Sequence, residues 1–380
     1  MCPVGTQSIW TIWKSSTRLA DGREIVYFDE EPGLGRDQVA DTRPLPPRMP
    51  GPQPPYGRPD WGIRWDRLAG EWVVIAAARQ DRTFLPPADQ CPLDPSGPGR
   101  PTEIPADNYD VVVFENRFPS LSGADQSPFT LTSAGDSFVS ARGHGRCEVI
   151  AFSSDHTGSF ADLELPHARL VVDAWRDRTA DLLARSGIEQ VFCFENRGTE
   201  VGVTLTHPHG QIYGYPYLTP RTERMLTQAR LHRERHGTNL FADLLANEVA
   251  DGIRIITRND LFTAFVPFAS RWPVEVHIYP NRFVRSLIDL DDAESDAFAA
   301  MYLDVLRRFD RLYPTALPYM SALHQYAATD GQQEGYFHVE LISIRRSATK
   351  LKYLASSESA MEAFINDVPP ESVATRLREV

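Results

Sequence analysis

The order of strand and helix patterns occurs twice along this chain, and this repetition limits the possible folds more than any other feature. The apolar stretches YDVVVFENRFP (109–119) and LFTAFVPFASRWP (261–273) each predict a strand that ends at an aromatic residue and a proline. A second strand pattern follows in each copy, at 146–156 and 273–283. A long amphipathic helix is predicted next, at 161–186 and 291–313, because apolar residues recur there every three or four positions.

Each copy closes with a strand that carries a histidine two positions before a polar residue, in THPHGQIYG (206–214) and YFHVELISI (336–344). We therefore predict an α+β fold of two similar units with antiparallel sheets, since short connections join the strands before each helix. Residues 71–79 predict a buried strand, and the Pro- and Gly-rich stretch 29–61 predicts extended chain. The expected division is an extended N-terminal arm or linker (1–62), a first unit (63–218) and a second unit (219–380).

Composition narrows the classes of function. The chain has 380 residues and a formal net charge of -12 without a basic cluster, which argues against nonspecific nucleic-acid binding. No uncharged apolar run approaches the roughly 20 residues that a membrane helix needs, and the N-terminus lacks a signal-peptide pattern. The four cysteines are too few for a disulfide framework in a chain of this length. We expect a cytoplasmic globular protein, which could still bind a small anion through individually placed arginines.

The motif THPHGQIYG concentrates chemistry in a few residues. In a strand, His207, His209 and Gln211 would lie on one face. Pro208 would stiffen the pair and suits a strand end or a sheet edge, while Gly210 would let a ligand approach the backbone. Three interpretations compete: structural histidines in a turn, a pair of zinc ligands, or an imidazole that attacks phosphorus beside an amide donor.

The longer segment FENRGTEVGVTLTHPHGQIYG (194–214) resembles the active-site segment of galactose-1-phosphate uridylyltransferases, a branch of the histidine-triad superfamily. WDRLAGEWVVIAAARQDR, FENRF, CEVIAFSSDH, PFASRWPVEVHIYP and RRSATKLKYLASSE are similar to that family in the same order. The resemblance covers about residues 60–380 and implies two histidine-triad-like units. It also implies a ping-pong exchange of UMP between UDP-glucose and galactose 1-phosphate through a uridylyl-His209 intermediate. Gln211 would support the transferring phosphoryl group, and no organic cofactor would take part.

The same resemblance implies a set of substrate contacts in a homodimer. Two arginines would reach the nucleotide sugar from a neighbouring subunit, two residues would contact uridine, four would surround the ribose and diphosphate, and three would contact the sugar phosphate. In that order they are Arg79 and Arg82; Asn116 and Phe118; Asn196, Gly202, Val203 and Thr204; and Lys352, Tyr353 and Glu358.

Two metal sites are implied as well. Zinc would be held by Cys91, Asp94, His156 and His207, although relatives commonly have a second cysteine at the position of Asp94, and a carboxylate gives a harder, weaker site. A second site for iron or zinc would use His324, His338 and Glu340. Met225 stands where relatives have a glutamate ligand, so a hydrogen-bonded remnant without metal is the alternative.

Two further functions remain open. A nucleotide phosphorylase acting on ADP-glucose or a dinucleoside polyphosphate would use the same histidine with phosphate as the acceptor. A catalytically silent nucleotide-binding homologue would keep the fold alone, but the intact His209 and Gln211 favour catalysis.

Overall fold

A computed structural model gives the positions of most of the chain. It describes residues 12–32, 36, 41–43, 61–76, 79, 85–123, 131–133, 137–329 and 331–380. The strands in these residues are β1 Trp13–Arg18, β2 Glu24–Asp29, β3 Trp61–Asp66, β4 Glu71–Ala76, β5 Val111–Glu115, β6 Leu131–Ser133, β7 Val139–Ala141, β8 Arg146–Ala151, β9 Gln190–Arg197, β10 His209–Tyr215, β11 Ile255–Arg258, β12 Phe262–Phe265, β13 Val274–Pro280, β14 Tyr319–His324 and β15 His338–Ser343. The helices are α1 Leu165–Leu183, α2 Pro220–His236, α3 Leu240–Asp251, α4 Asp292–Arg311, α5 Ser356–Ser359 and α6 Pro370–Glu379.

Both predicted units contribute to one long sheet. Among the described strands its order is β1-β2-β5-β8-β10-β9-β14-β15-β13-β12-β11, and a smaller sheet has the order β4-β3-β7-β6. Neighbouring strands are antiparallel, so the predicted α+β class is confirmed. The two units meet where β9 pairs with β14, with Asn196 opposite Met320.

The pairing register repeats between the units. In the first unit, Gln211 of β10 lies opposite Val149 of β8, which in turn lies opposite Phe114 of β5. The equivalent residues of β15, β13 and β12 are Glu340, His277 and Phe265. The predicted duplication is therefore present at the level of individual strand partners.

The N-terminal segment differs from the predicted arm. Strands β1 and β2 form a hairpin at one end of the long sheet, where β2 pairs with β5. Ile25 and Phe28 are buried on opposite faces of β2, and this burial on both faces holds the segment in the sheet. The extended arm predicted over 1–62 is thus wrong for residues 13–29, while 44–60 lie outside the described residues. The prediction of a buried strand at 71–79 is also wrong, because β4 is an end strand of the small sheet and Val73 is 42% exposed.

Helices α1 and α4 cover one face of the long sheet, close to the two helices predicted from periodicity. Trp175 of α1 and Tyr302 of α4 pack against each other with ring centroids 5.9 Å apart. A capping box starts α4, since Asp291 accepts from Glu294 N–H at 2.8 Å and Glu294 accepts from Asp291 N–H at 2.9 Å. None of the described helices could cross a membrane, because none is both long and apolar enough.

The opposite face of the sheet is covered differently in the two units. In the second unit, α2 and α3 pack there through residues such as Leu226 and Phe241. In the first unit, the small sheet and the loop 85–106 cover that face instead, through residues such as Ile63 and Leu93. The side chains of His209 and Gln211 lie on this face of the sheet.

Candidate active site

The motif THPHGQIYG enters the sheet at its second histidine. Strand β10 begins at His209 and runs between β8 and β9 in the interior of the sheet. Pro208 therefore marks a strand end and not a sheet edge, and its carbonyl accepts a hydrogen bond from Phe152 N–H at 3.1 Å. His209 and Gln211 lie on one face and line the same cavity, as predicted, whereas His207 precedes the strand and faces a separate cluster of polar groups.

Gly210 has a different role from the predicted one. A Cβ atom at this position would lie 2.8 Å from the carbonyl oxygen of Phe194 and 2.9 Å from the ring of Phe152. The side of the strand opposite His209 is thus filled by protein, since successive residues alternate between faces. Gly210 is needed for packing between strands and not for the approach of a ligand.

The backbone holds one ring nitrogen of His209. Its Nδ1 lies 2.8 Å from the carbonyl oxygen of His207, and because a carbonyl can only accept, Nδ1 carries the proton. Burial lowers the pKa of His209, so the ring is neutral at neutral pH. Nε2 consequently carries an unshared electron pair, which is the state that a nitrogen nucleophile requires.

The Gln211 amide is oriented by its neighbour two residues on. The Tyr213 hydroxyl donates to Gln211 Oε1 at 3.0 Å, and Arg79 Nη1 lies 3.4 Å from the same hydroxyl. Burial raises the pKa of Tyr213 to about 12, so the phenol keeps its proton and remains a donor. With its oxygen engaged, Gln211 presents its NH₂ group as a donor to the cavity.

His209 and Gln211 open onto a cavity of about 350 Å³, a volume in the range of small-molecule sites. Four of the predicted contact residues line it in the same chain: Arg79, Asn116, Phe118 and Thr204. Arg79 thus reaches the site without a neighbouring subunit, contrary to the sequence-based expectation. Arg82 lies outside the described residues.

A second, smaller cavity of about 190 Å³ also borders His209. Asn196, Val203 and His207 line it, so His209 is shared between the two spaces. Gly202 lines neither cavity; with φ at 82° it caps the turn Thr199–Val201 in the left-handed conformation that glycine adopts readily.

The predicted sugar-phosphate contacts lie away from both cavities. Lys352 is 2% exposed, and its ammonium group pairs with Glu358 Oε1 at 2.6 Å and donates to the carbonyl of Ile365. Tyr353 is 74% exposed. Within one chain, the structure does not bring these three residues to His209.

The four residues of the first predicted metal site do converge. The candidate ligand atoms of Cys91, Asp94, His156 and His207 all lie within 4.8 Å of one another. Asp94 Oδ1 is 2.8 Å from His156 Nδ1 and 3.1 Å from His207 Nδ1. Although burial alone would raise the pKa of Asp94, the two neighbouring imidazole rings lower it.

The hydrogen bonds of His207 fit a cation in this cluster. Nε2 lies 2.7 Å from the Ser153 carbonyl oxygen and 3.0 Å from the hydroxyl of Tyr109, which itself donates to Leu93, so Nε2 carries the proton. Burial lowers the pKa of His207, which disfavours a second proton on Nδ1. The unshared pair on Nδ1 would then face the unshared pairs of the Asp94 carboxylate, and the two groups would repel each other. A divalent ion between them would remove this repulsion, because both groups would then be its ligands.

The second predicted cluster also comes together, but with a different partner. His324, His338 and Glu340 offer ligand atoms within 4.8 Å of one another, and the two imidazole rings stack with centroids 4.6 Å apart. His338 Nδ1 donates to the Tyr336 carbonyl at 2.8 Å, which repeats the hydrogen bond of His209 in the second unit. Arg221 Nη2 lies 2.7 Å from both oxygens of Glu340.

Comparison with known proteins agrees with this geometry. The model of the galactose-1-phosphate uridyl transferase N-terminal domain matches residues 62–219, and that of the C-terminal domain of the same family matches residues 225–380. The chain belongs to this family. Together the two models of the galactose-1-phosphate uridyl transferase family span both units and meet near the start of α2.

Individual members of the family are similar over most of their length. A galactose-1-phosphate uridylyltransferase of Streptomyces lividans is 46% identical, covering 97% of this chain and 98% of the relative. One from Thermotoga maritima is 37% identical, covering 83% of this chain and 98% of the relative. A solved uridylyltransferase structure matches with a TM-score of 0.74 at 29% identity, covering 84% of this chain and 98% of the other.

Several residues of this uridyl transferase site escaped the sequence analysis. Arg117 lines the larger cavity, Tyr213 orients Gln211, Tyr109 accepts from His207, and Arg221 pairs with Glu340. Two of them carried a usable signal. Tyr213 continues the alternate-residue pattern from Gln211, and Arg117 lies between the two uridine contacts of FENRF.

Proposed function

We propose that this protein exchanges UMP between UDP-glucose and galactose 1-phosphate, as a nucleotidyltransferase of galactose metabolism. Its family membership and the two galactose-1-phosphate uridylyltransferase relatives support this function. The observation that carries the proposal is the hydrogen bond from His209 Nδ1 to the His207 carbonyl, because it leaves Nε2 as an unprotonated nucleophile beside a cavity large enough for a nucleotide.

In the first half-reaction, His209 Nε2 attacks the α-phosphorus of UDP-glucose. A P–N bond forms while the P–O bond to glucose 1-phosphate breaks, and the electron pair leaves on the glucose 1-phosphate oxygen. The imidazole becomes positively charged, and the His207 carbonyl stabilises that charge through Nδ1–H. In the second half-reaction, a phosphate oxygen of galactose 1-phosphate attacks the same phosphorus, and the P–N electron pair returns to Nε2.

We assign to the Gln211 amide the role of stabilising the negative charge that develops on the phosphoryl group. Its NH₂ group is a fixed donor on the same face as His209, because Tyr213 occupies the amide oxygen. A donor that is already in place before the reaction stabilises the transition state without a free-energy cost for reorientation during the reaction. Neither half-reaction calls for an external base, since the attacking atom in each case already carries an unshared pair.

We assign nucleotide binding to the residues around these two groups. Arg79 supplies positive charge close to Gln211, and Asn116 keeps its amide nitrogen available because its Oδ1 accepts from Phe118 N–H at 2.9 Å. Phe118 offers an aromatic face to the uracil ring. Asn196, Val203 and Thr204 would contact the ribose and diphosphate.

We propose zinc as the ion of the first cluster. Cys91, Asp94, His156 and His207 form a set of one thiolate, one carboxylate and two imidazoles, which suits a four-coordinate structural site. Zinc would fasten the loop that carries Cys91 to His207, two residues before the start of β10. The carbonyl of His207, which orients the nucleophile, would then be fixed by the metal site through the His207 ring and by β10 through the chain that follows.

We also propose a homodimer in which a partner subunit contributes Tyr353, with Arg82 as a further contact. Tyr353 is exposed and does not line the cavities of its own chain, so a partner offers the route by which it would reach a substrate, while the buried pair of Lys352 and Glu358 would hold the segment that carries it. Apolar side chains on or beside the small sheet, including Val73, Leu131 and Phe138, are 42%, 58% and 66% exposed and would be covered in a dimer. Light scattering on the purified protein measures the mass directly.

The cytoplasmic location stays a prediction.

Trapping the covalent intermediate tests the reaction. Incubation with UDP-glucose alone should add the mass of one UMP to the protein, with the label on His209 by peptide mapping. His209→Asn should carry no label, while the fold is checked by circular dichroism. Unlabelled wild-type protein would instead favour the silent nucleotide-binding homologue.

The same assay separates the two enzymatic functions. UDP-glucose with galactose 1-phosphate should give UDP-galactose, and ADP-glucose with phosphate should give no product. Turnover that occurs only with ADP-glucose or a dinucleoside polyphosphate, and with phosphate as acceptor, would replace the proposed activity by a phosphorylase.

A further inference from the structure

The second cluster already contains a cation that belongs to the protein. Arg221 lies in the first turn of α2, and its Nη2 is 2.7 Å from each oxygen of Glu340. Glu340 is only 8% exposed, and a carboxylate in that environment needs a positive partner. The guanidinium group supplies this charge and engages both carboxylate oxygens at once.

The other two residues of the cluster are histidines, which bring no negative charge to it. His338 Nδ1 donates to the Tyr336 carbonyl, so its Nε2 holds an unshared pair, 3.8 Å from Glu340 Oε1. His324 Nε2 lies 3.5 Å from Glu340 Oε2 and has no hydrogen-bond partner among the described residues. The single negative charge of the three ligands is therefore the one that Arg221 neutralises.

The first cluster shows how an arginine and a metal can share a carboxylate. There, of the two oxygens of Asp94, Arg100 Nη1 contacts Oδ2, at 3.1 Å, while Oδ1 faces the two histidines. In the second cluster, both oxygens of Glu340 contact Arg221, so neither is left to face the histidines alone. A divalent ion on Glu340 would stand about 2 Å from an oxygen that also contacts the guanidinium, so two like charges would meet in a buried site.

The helix that carries Arg221 adds no ligand that would offset this repulsion. Met225 follows one turn later and lines the same cavity, about 370 Å³ in volume, but its thioether is neutral and a poor ligand for divalent iron or zinc. A site with two imidazoles, one carboxylate already paired with Arg221 and one thioether has little free negative charge to hold divalent iron or zinc.

We propose that Arg221 takes the place of a metal ion in the second cluster, and that Glu340 binds this guanidinium group instead of a divalent cation. The ion pair ties the start of α2 to β15 and so connects the chain segment after β10 to the second unit. Among the described residues, one candidate metal site then remains, in the first cluster.

Cobalt(II) titration distinguishes the two clusters, because only the first contains a thiolate. Cobalt bound through Cys91 gives a sulfur-to-metal charge-transfer band, whereas nitrogen and oxygen ligands give none. The metal-free protein is titrated as wild type, as Arg221→Met and as Arg224→Met, with bound metal counted by plasma emission after desalting. Arg224 is a matched control, since it lies on the same helix and lines the same cavity but pairs with the exposed Glu362.

We expect one equivalent in the wild type and in Arg224→Met, with the thiolate band, and a second equivalent without a further band in Arg221→Met. Two equivalents in the wild type would overturn the proposal, and so would a folded Arg221→Met that stays at one. If Arg221→Met does not fold, Arg221→Gln takes its place, because it keeps a hydrogen bond to Glu340 without the charge.

Discussion

Replacement of Tyr213 by phenylalanine would remove the group that fixes the Gln211 amide. The hydroxyl donates to Gln211 Oε1 at 3.0 Å, and Arg79 approaches it from the other side at 3.4 Å. The ring itself packs at 8% exposure and would stay in place, because phenylalanine has the same shape. Without the hydroxyl, the amide is free to rotate and to turn its oxygen toward the phosphoryl group.

The size of the effect follows from the hydrogen bond that is lost. A neutral hydrogen bond contributes about 0.5–1.5 kcal/mol, and each 1.36 kcal/mol changes a rate tenfold. We therefore expect the rate of uridylylation to fall about 2- to 13-fold if the preference for the productive amide orientation is all that changes. The affinity for UDP-glucose should change less, because the amide acts on charge that develops in the transition state.

Single-turnover uridylylation at saturating UDP-glucose measures this rate, with covalent label followed by rapid quench. Tyr215→Phe is the matched control, since Tyr215 lies on the same face of β10 and its hydroxyl makes no hydrogen bond to a described residue. An unchanged rate in Tyr213→Phe, or an equal loss in Tyr215→Phe, would refute the role of the hydroxyl in orienting Gln211.

Three further outcomes can be measured. Gly210→Ala should lower the free energy of unfolding by about 1–3 kcal/mol, read from denaturant curves, because its Cβ would lie 2.8 Å from a backbone oxygen of β9. Burial raises the pKa of Glu195 from 4.5 to about 7, so between these values the native state binds more protons than the unfolded state. Stability should therefore fall as pH rises through this window, and Glu195→Gln should flatten that dependence; an unchanged slope would contradict it. Asp94→Cys should retain zinc against a chelator longer than the wild type, because it adds a second thiolate; faster loss would argue against zinc in this cluster.

Local patterns explain the parts of the fold that the sequence predicted. The spacing of apolar residues placed α1 and α4 within a few residues of their ends, and the two histidine-containing strands appeared at β10 and β15. The convergence of Cys91 and Asp94 with two distant histidines could be predicted only from the family resemblance, because no local sequence pattern specifies it.

Pairing between distant segments explains what the sequence left out. Gly210 offers no local sign that a neighbouring strand fills its empty side. Arg221 and Glu340 are 119 positions apart, and an arginine at a helix start is commonly just a solvated charge. The hairpin of β1 and β2 was hidden by the proline-rich stretch after it, because its continuous apolar run spans only residues 25–28.

The pairing of β9 with β14 has a consequence for folding. If the chain were divided between its two units, each half would expose one of these strands with its backbone N–H and C=O groups unpaired. Such an edge recruits other chains, so either half produced alone should aggregate, while the intact chain should unfold in one cooperative transition. Co-expression of the two halves would then restore soluble material only if β9 and β14 pair again.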